Sequence, residues 1–313
     1  MKLKLWDRLR WSKRFVAHSR LPDGTKSELK LKVTHPDQPR WSDGDSIALA
    51  NNAHYTNTAS ELSQALSGRH NFLEGDVWLE GVARRLPGLD RFREPIMAHY
   101  PDEVTGLTLK EWLEVGKASG KGLKLDVKQS AALPKVIEAV KRAEIPQERL
   151  IINADMEFGP GIEHDLKFRA FDTLADFKTE VDEMKKVREA LPKATIAVGL
   201  YTGKLPAGAA YAPSQIYGAI SIAQQLGGPI TFPLRAEFVS KEIVNVLKEH
   251  GSVSVWNDPK TYLPDDLEKA REYFREIGVN GMIDLREAER PKPVAREVDE
   301  NGWQPPEPES RLG

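Results

Sequence analysis

From Ile47 to Asp284 the chain alternates short apolar runs with longer segments whose apolar residues recur every three or four positions. The short runs are Ile47–Ala50, Phe72–Leu79, Pro95–His99, Leu123–Val127, Leu150–Asn153, Thr195–Gly199, Ile230–Leu234, Val253–Trp256 and Gly281–Asp284. Most are compact and apolar on both sides, the pattern of parallel strands covered on both faces. The intervening segments carry helix boundary signals. Thr108 and Glu111 make a capping box ahead of Trp112 and Leu113. Ser214 is expected to cap a helix that Gly227-Gly228 stops after Leu226, and Ser240 to start one that His250-Gly251 ends. Pro264-Asp265-Asp266 opens another that finishes at Ile277-Gly278, and residues 176–190 continue the rhythm.

About eight strand–helix repeats in roughly 240 residues predict an α/β fold, the (β/α)8 TIM barrel, whose chemistry collects at the C-terminal ends of its strands. A doubly wound open sheet is the competitor. It normally places a glycine-rich phosphate turn after its first strand, and Asn51-Asn52-Ala53-His54-Tyr55 has no glycine there. The pattern gives a barrel over residues 46–286, an N-terminal extension over 1–45, and a tail over 287–313 rich in proline and charge, packed on the surface or mobile. Within the extension, Leu29–Val33 alternates strictly and predicts an edge strand. Leu5, Trp6, Leu9, Trp11 and Phe15, interleaved with lysines and arginines, predict a basic amphipathic helix over residues 1–18. Two roles are open to it: a peripheral contact with an anionic membrane, or packing on the domain.

Composition narrows the chemistry. The net charge of −2 over 313 residues argues against a nucleic-acid partner. The absence of cysteine removes disulfides, thiolate metal sites and thiol nucleophiles, so a metal must be held by oxygen or imidazole. No apolar run approaches the roughly 20 residues of a membrane span, and the N-terminus lacks the apolar core of a secretory signal. A cytoplasmic location is the resulting expectation.

Chemistry-bearing residues recur at the ends of the expected strands. Glu74 and Asp76 lie two apart on one strand and so face the same way, into the barrel. Buried together, they need a divalent cation such as Mg²⁺ or Ca²⁺, or else inward lysines or arginines as ion-pair partners. Asp126 and Lys128 repeat that spacing on a later strand, with Lys124 in phase. Asp126 is a third candidate metal ligand and Lys128 a candidate phosphate-binding cation, the alternative being a structural ion pair. His54 follows the first expected strand and His99 ends the third, where titration near neutrality suits them to acid–base catalysis. Asn153, Arg235 and Trp256 are candidates for binding substrate or phosphate. Arg235 would hold an anion or pair with Asp155, and Trp256 would wall the pocket, with core support the competing role for each. Tyr201-Thr202-Gly203 is a candidate pocket loop, and the other histidines take no role.

Read in order, His54, Glu74-x-Asp76, His99 and Asp126-x-Lys128 resemble the phosphodiesterase superfamily with a phospholipase C-like barrel. That superfamily includes glycerophosphodiester phosphodiesterases and sphingomyelinase D-type enzymes. Over a longer stretch the chain resembles the menorin family, through Glu74-Gly75-Asp76-Val77, Pro95-Ile96-Met97-Ala98-His99, Gly122 to Lys128, Ile152-Asn153-Ala154-Asp155, Pro229 to Ala236 and Val255-Trp256. The resemblance implies that Glu74, Asp76 and Asp126 hold Mg²⁺ or Ca²⁺, that His54 and His99 move protons, and that Lys128 contacts phosphate. It places Trp256 where sphingomyelinase D-like enzymes have a pocket tryptophan. Two departures stand out. Glycerophosphodiesterases usually have Arg-Gly after the first histidine, where this chain has Tyr55-Thr56, and Glu as the third ligand, where it has Asp126. The function implied is metal-dependent cleavage of a small-molecule or lipid phosphodiester, of glycerophosphodiester or (lyso)phospholipid type. Attack by water would hydrolyse it; attack by a substrate hydroxyl would give a cyclic phosphate. The alternative is a non-catalytic barrel that binds phosphate or phospholipid. A glycosidase is disfavoured because two carboxylates two apart on one strand cannot flank a bond from opposite sides.

Overall fold

The computed structural model describes residues 13–20, 26–33, 40–42, 44–80, 94–99, 107–153, 174–200, 210–257 and 264–286, with backbone alone for 13–20, 26–33, 174–180 and 264–265. The 287–313 tail, residues 1–12, Asp155 and the Tyr201-Thr202-Gly203 loop lie outside the described residues.

Strands β1 (Lys13–Arg20) and β2 (Lys26–Val33) pair antiparallel as a two-stranded sheet. The helix expected over residues 1–18 is therefore corrected wherever the described residues reach it. The physical reason is the partner: the alternating Leu29–Val33 run presents a full row of backbone donors and acceptors, and Phe15 and Ala17 fall opposite Leu31 and Leu29 in the ladder.

The remaining strands are β3 (Asn52–Ala53), β4 (Phe72–Leu79), β5 (Pro95–Met97), β6 (Gly122–Val127), β7 (Leu150–Asn153), β8 (Thr195–Ala197), β9 (Ile230–Arg235), β10 (Ser252–Trp256) and β11 (Ile283–Asp284). Eight of them run parallel in the spatial order β3-β4-β6-β7-β8-β9-β10-β11, which is chain order throughout. A doubly wound sheet must reverse its order at a switch point; this sheet never does, and it curls into a (β/α)8 TIM barrel. Its two edge strands meet through side chains, with Asn52 Nδ2 on β3 donating to Asp284 Oδ2 on β11 at 2.9 Å.

Helices α1 (Ala59–Ser67), α2 (Leu109–Ser119), α3 (Leu133–Ala143), α4 (Leu174–Ala190), α5 (Pro213–Leu226), α6 (Lys241–Leu247) and α7 (Pro264–Glu276) connect the strands. The α2 capping box forms as the sequence predicts, Thr108 accepting from the Glu111 backbone while Glu111 accepts from that of Thr108. Leu62, Trp112, Leu113, Met184 and Val244 pack against the outer face of the barrel in one continuous core.

Four expected boundaries shift. Ile47–Ala50 is not a strand: Ile47–Leu49 is a 3-10 turn, because the Ser46 side chain accepts from Ala48 N and closes the backbone locally, and the first barrel strand is Asn52–Ala53. Strand β5 stops at Met97, before His99, and runs antiparallel beside the end of β4, off the barrel path. Ser214 lies inside α5, which Pro213 opens, since proline at the first helical position lacks only an N–H that would be unpaired anyway. Helix α6 ends at Leu247, short of His250-Gly251.

Phe72, Ile151, Ala197 and Met282 pack with Trp41 as a second buried apolar plug, the Trp41 ring meeting Phe72 edge-on at 5.2 Å. Gly122, opposite Phe72 in the ladder, makes room for this plug, since a Cβ there would lie 2.0 Å from the Phe72 ring. Two residues further along the same strands, the inward positions are Glu74 and Lys124.

Candidate functional site

Among the described residues, four carboxylates are buried at this end of the lumen: Glu74 and Asp76 on β4, Asp126 on β6 and Asp284 on β11. Glu74 is held by Lys124 Nζ at 2.9 Å, Asn52 Nδ2 at 2.6 Å and His54 Nε2 at 2.9 Å. Burial pushes its pKa up, but His54 and then Lys124 outweigh that and bring it down to about 2. Burial works in the same way to strip Lys124 of its proton, yet Glu74, Asp126 and Asp284 around it raise its pKa above the ordinary lysine value. Asp76 and Asp126 stand directly opposite each other in the parallel ladder and share Lys128, whose Nζ donates to Asp126 Oδ2 at 2.7 Å and lies 3.6 Å from Asp76 Oδ1. Asn57 clamps Asp76 from both sides, its Nδ2 donating to Oδ2 at 3.1 Å and its Oδ1 accepting from the Asp76 backbone at 2.7 Å.

The expected ligands Glu74, Asp76 and Asp126 thus share one lumen but divide between two lysines. Among the described residues, the one set of three ligand-type side chains with all its donor atoms within 4.8 Å of one another is His54, Glu74 and Asp284. The donor chemistry nevertheless suits a hard divalent cation. Among the described residues the four buried carboxylates face Lys124 and Lys128, and His54 between two of them adds a third positive charge when it is protonated.

Both predicted histidines reach this cluster. His54 is sandwiched between Glu74 at Nε2 and Asp284 at Nδ1, the latter at 3.0 Å. His99, more exposed, sets its Nδ1 3.1 Å from Asp76 Oδ2. Tyr55 lies between the two rings, 5.3 Å from His54 and 4.6 Å from His99, on a backbone of φ 54°. Asn153 donates to Asp126 Oδ1 at 2.9 Å, so it fixes a carboxylate from the next strand. Arg235 and Trp256 are neighbours on β9 and β10, the guanidinium 6.0 Å from the indole. Arg235 pairs with Glu237, with Nε at 3.2 Å.

Pattern reading of the sequence misses Asn52, Asn57 and Asp284. Only the fold shows what they hold: Asn52 donates to Glu74 and Asp284 at the seam between β3 and β11, and Asn57 to Asp76 on β4. A signal existed for Asp284, which closes the last apolar run just as His99 closes an earlier one. No helix among the described residues is long and apolar enough to cross a membrane.

Comparison with known proteins gives three findings. Residues 46–285 match the Menorin N-terminal domain family. Protein FAM151B from Homo sapiens is 28% identical over 230 residues, covering 71% of this chain and 77% of the human protein. Among solved structures, a glycerophosphoryl diester phosphodiesterase from Parabacteroides distasonis superposes with a TM-score of 0.47 at 12% identity, over 80% of this chain and 86% of that one.

Proposed function

The chain belongs to the menorin family, and from that premise we propose that its barrel is a metal-dependent phosphodiesterase acting on a glycerophosphodiester or (lyso)phospholipid-type substrate. One observation carries the reading: two histidines are each held by buried carboxylates at the rim of a lumen lined by four such groups. Among the described residues these carboxylates outnumber the lysines that meet them, an arrangement that an added cation would complete. Glu74, Asp76 and Asp126 are the proposed ligands, Mg²⁺ the expected ion, and Ca²⁺ an ion that the same oxygen donors accept. Such an ion, when bound, would polarise a phosphoryl oxygen and offset developing charge.

The chain's own residues supply the rest. Lys128, beside Asp76 and Asp126, would bind a non-bridging phosphate oxygen, while Asn153 holds Asp126 in place. Asp76 orients His99 through Nδ1, and Asp284 orients His54 in the same way. One imidazole takes the proton of the attacking water or substrate hydroxyl as its oxygen bonds to phosphorus, and the other protonates the leaving oxygen as the old P–O bond breaks.

A second reading, a barrel that binds phosphate or phospholipid without turnover, is favoured by one feature: both ring nitrogens of His54 are engaged by carboxylates. Purified protein assayed with Mg²⁺ on a panel of glycerophosphodiesters and lysophospholipids separates the two. The phosphodiesterase reading expects EDTA-sensitive cleavage that falls about 10²–10⁴-fold in His54→Ala and in His99→Ala. Metal binding without cleavage of any diester would establish the binding barrel, and cleavage unaffected by either substitution would reject the histidine assignment.

A further inference from the structure

Arg286, the second residue past β11, is held in a costly arrangement in which its guanidinium meets no anion among the described residues. Its backbone is fixed by Asn257, fully buried, whose Oδ1 accepts from Arg286 N at 2.7 Å and whose Nδ2 donates to Arg286 O at 3.0 Å. Its guanidinium lies over the Tyr55 ring, 4.9 Å from the centroid, and Tyr55 sits in the left-handed backbone region at φ 54°. A non-glycine residue held there costs on the order of 1 kcal/mol, so the surrounding structure must impose it. Arg286 Nε is buried without a hydrogen-bond partner, and among the described residues its guanidinium meets no carboxylate. Arg235 by contrast pairs with Glu237, and Arg188, whose Nε is likewise unpartnered, donates through its terminal nitrogens to three backbone carbonyls.

Arg286 also borders the seam between β3 and β11. A cleft of about 400 Å³ runs there, lined by Arg286 and Arg271 together with Glu61, His54, Thr56 and Asp284, so Arg286 and His54 border one cavity. The Tyr55 ring extends the same surface to His99. A planar fork of N–H donors, pre-oriented on an aromatic face and partly desolvated, matches the two oxygens of a phosphate or carboxylate. Ordering the fork in advance also lowers the entropy lost on binding.

We propose that Arg286, stacked on Tyr55, forms an oxyanion-binding subsite of the seam cleft, taking either the non-bridging oxygens of the diester or a second acidic group on the same substrate. The subsite rests on the phosphodiester reading for its substrate class, but it binds anions whether or not the barrel turns them over.

The test titrates inorganic phosphate calorimetrically into the full-length chain, comparing wild type, Arg286→Gln, Arg286→Lys, Tyr55→Leu and, as a surface control, Arg142→Gln. Losing a charged hydrogen-bonding partner predicts roughly tenfold or more weaker phosphate binding in Arg286→Gln. Arg286→Lys and Tyr55→Leu should fall between it and wild type, and Arg142→Gln should match wild type, with circular dichroism spectra unchanged throughout. Glycerophosphoglycerol and glycerophosphoserine then separate the two sources of the anion. Equal weakening of both in Arg286→Gln places the fork on the diester, and weakening of glycerophosphoserine alone places it on the second acid. Phosphate affinity within about twofold of wild type in well-folded Arg286→Gln and Arg286→Lys overturns the subsite, as does wild type that binds no phosphate. If wild type cleaves diesters while Arg286→Gln leaves phosphate binding intact, the subsite alone fails. If binding depends on Arg286 but no diester is cleaved, the catalytic reading alone fails.

Discussion

Glu74, Asp76, Asp126 and Lys128 were legible in the sequence because period-two spacing on a strand fixes which way a side chain points, whatever its neighbours are. What spacing could not show is which acid meets which base. Glu74 takes Lys124 from the adjacent strand, Asp126 takes Lys128 from its own, and Asp284 crosses the seam to His54 and Asn52. Such pairings depend on strand register and barrel closure, which no local pattern carries. Lys121 is a parallel case below the site. It is almost wholly buried at the entry to β6, where its ammonium donates to the His70 carbonyl, and burial pushes its pKa down to about 8 from 10.5. Between those two values the unfolded chain still holds a proton that the folded chain has released, so stability should climb as pH rises through that window and level off above it. Lys121→Met should flatten that climb and be the more stable protein at neutral pH. Urea unfolding at intervals from pH 7 to 11 measures both, and an unchanged slope in the variant would remove Lys121 as its source.

At the scale of elements, the sequence located the central strands to within a residue or two and failed where polar function overrides strand preference. Strand β4 matches its expected span because Phe72–Leu79 is apolar enough to be buried on either face. Strand β3 is displaced to Asn52–Ala53 because Ser46 captures the apolar Ile47–Leu49 run in a turn, and the strand is left to residues that serve the site. Strand β5 looked like a barrel member because periodicity does not distinguish a parallel neighbour from an antiparallel addition. The β4–β6 pair also sets a packing condition that can be tested. A methyl group at Gly122 would collide with the Phe72 ring, and that ring is fixed in turn by Trp41. Gly122→Ala should destabilise the protein by about 1–3 kcal/mol through overpacking, and Phe72→Leu in the same chain should recover much of the loss. Chemical denaturation of the single and double variants checks this; additive losses would show that the two side chains do not compete for the same space.

For the whole molecule, strand order and charge bear on one question, namely what completes the barrel. Among the described residues seven parallel ladders join eight strands, and the seam between β3 and β11 is tied by Asp284 to Asn52 and His54. The same Asp284 is one of the four buried carboxylates of the lumen, so the residue that ties the seam also places a fourth acid beside the other three. A cation that binds the folded chain alone would relieve this and stabilise the protein in proportion to its saturation, by about 2.7 kcal/mol at a hundred times its dissociation constant. For a domain of this size that is roughly 5–10 °C in melting temperature. Mg²⁺ added to EDTA-treated protein at matched ionic strength should produce such a rise, and Asp126→Asn should abolish it if Glu74, Asp76 and Asp126 hold the ion. Should Asp284→Asn abolish the rise while Asp126→Asn preserves it, the ion belongs to His54, Glu74 and Asp284, and His54 becomes a ligand instead of a proton carrier. A melting temperature indifferent to Mg²⁺ and Ca²⁺ in wild type would mean that Lys124 and Lys128 satisfy the lumen by themselves, and the charge argument for a metal would fail.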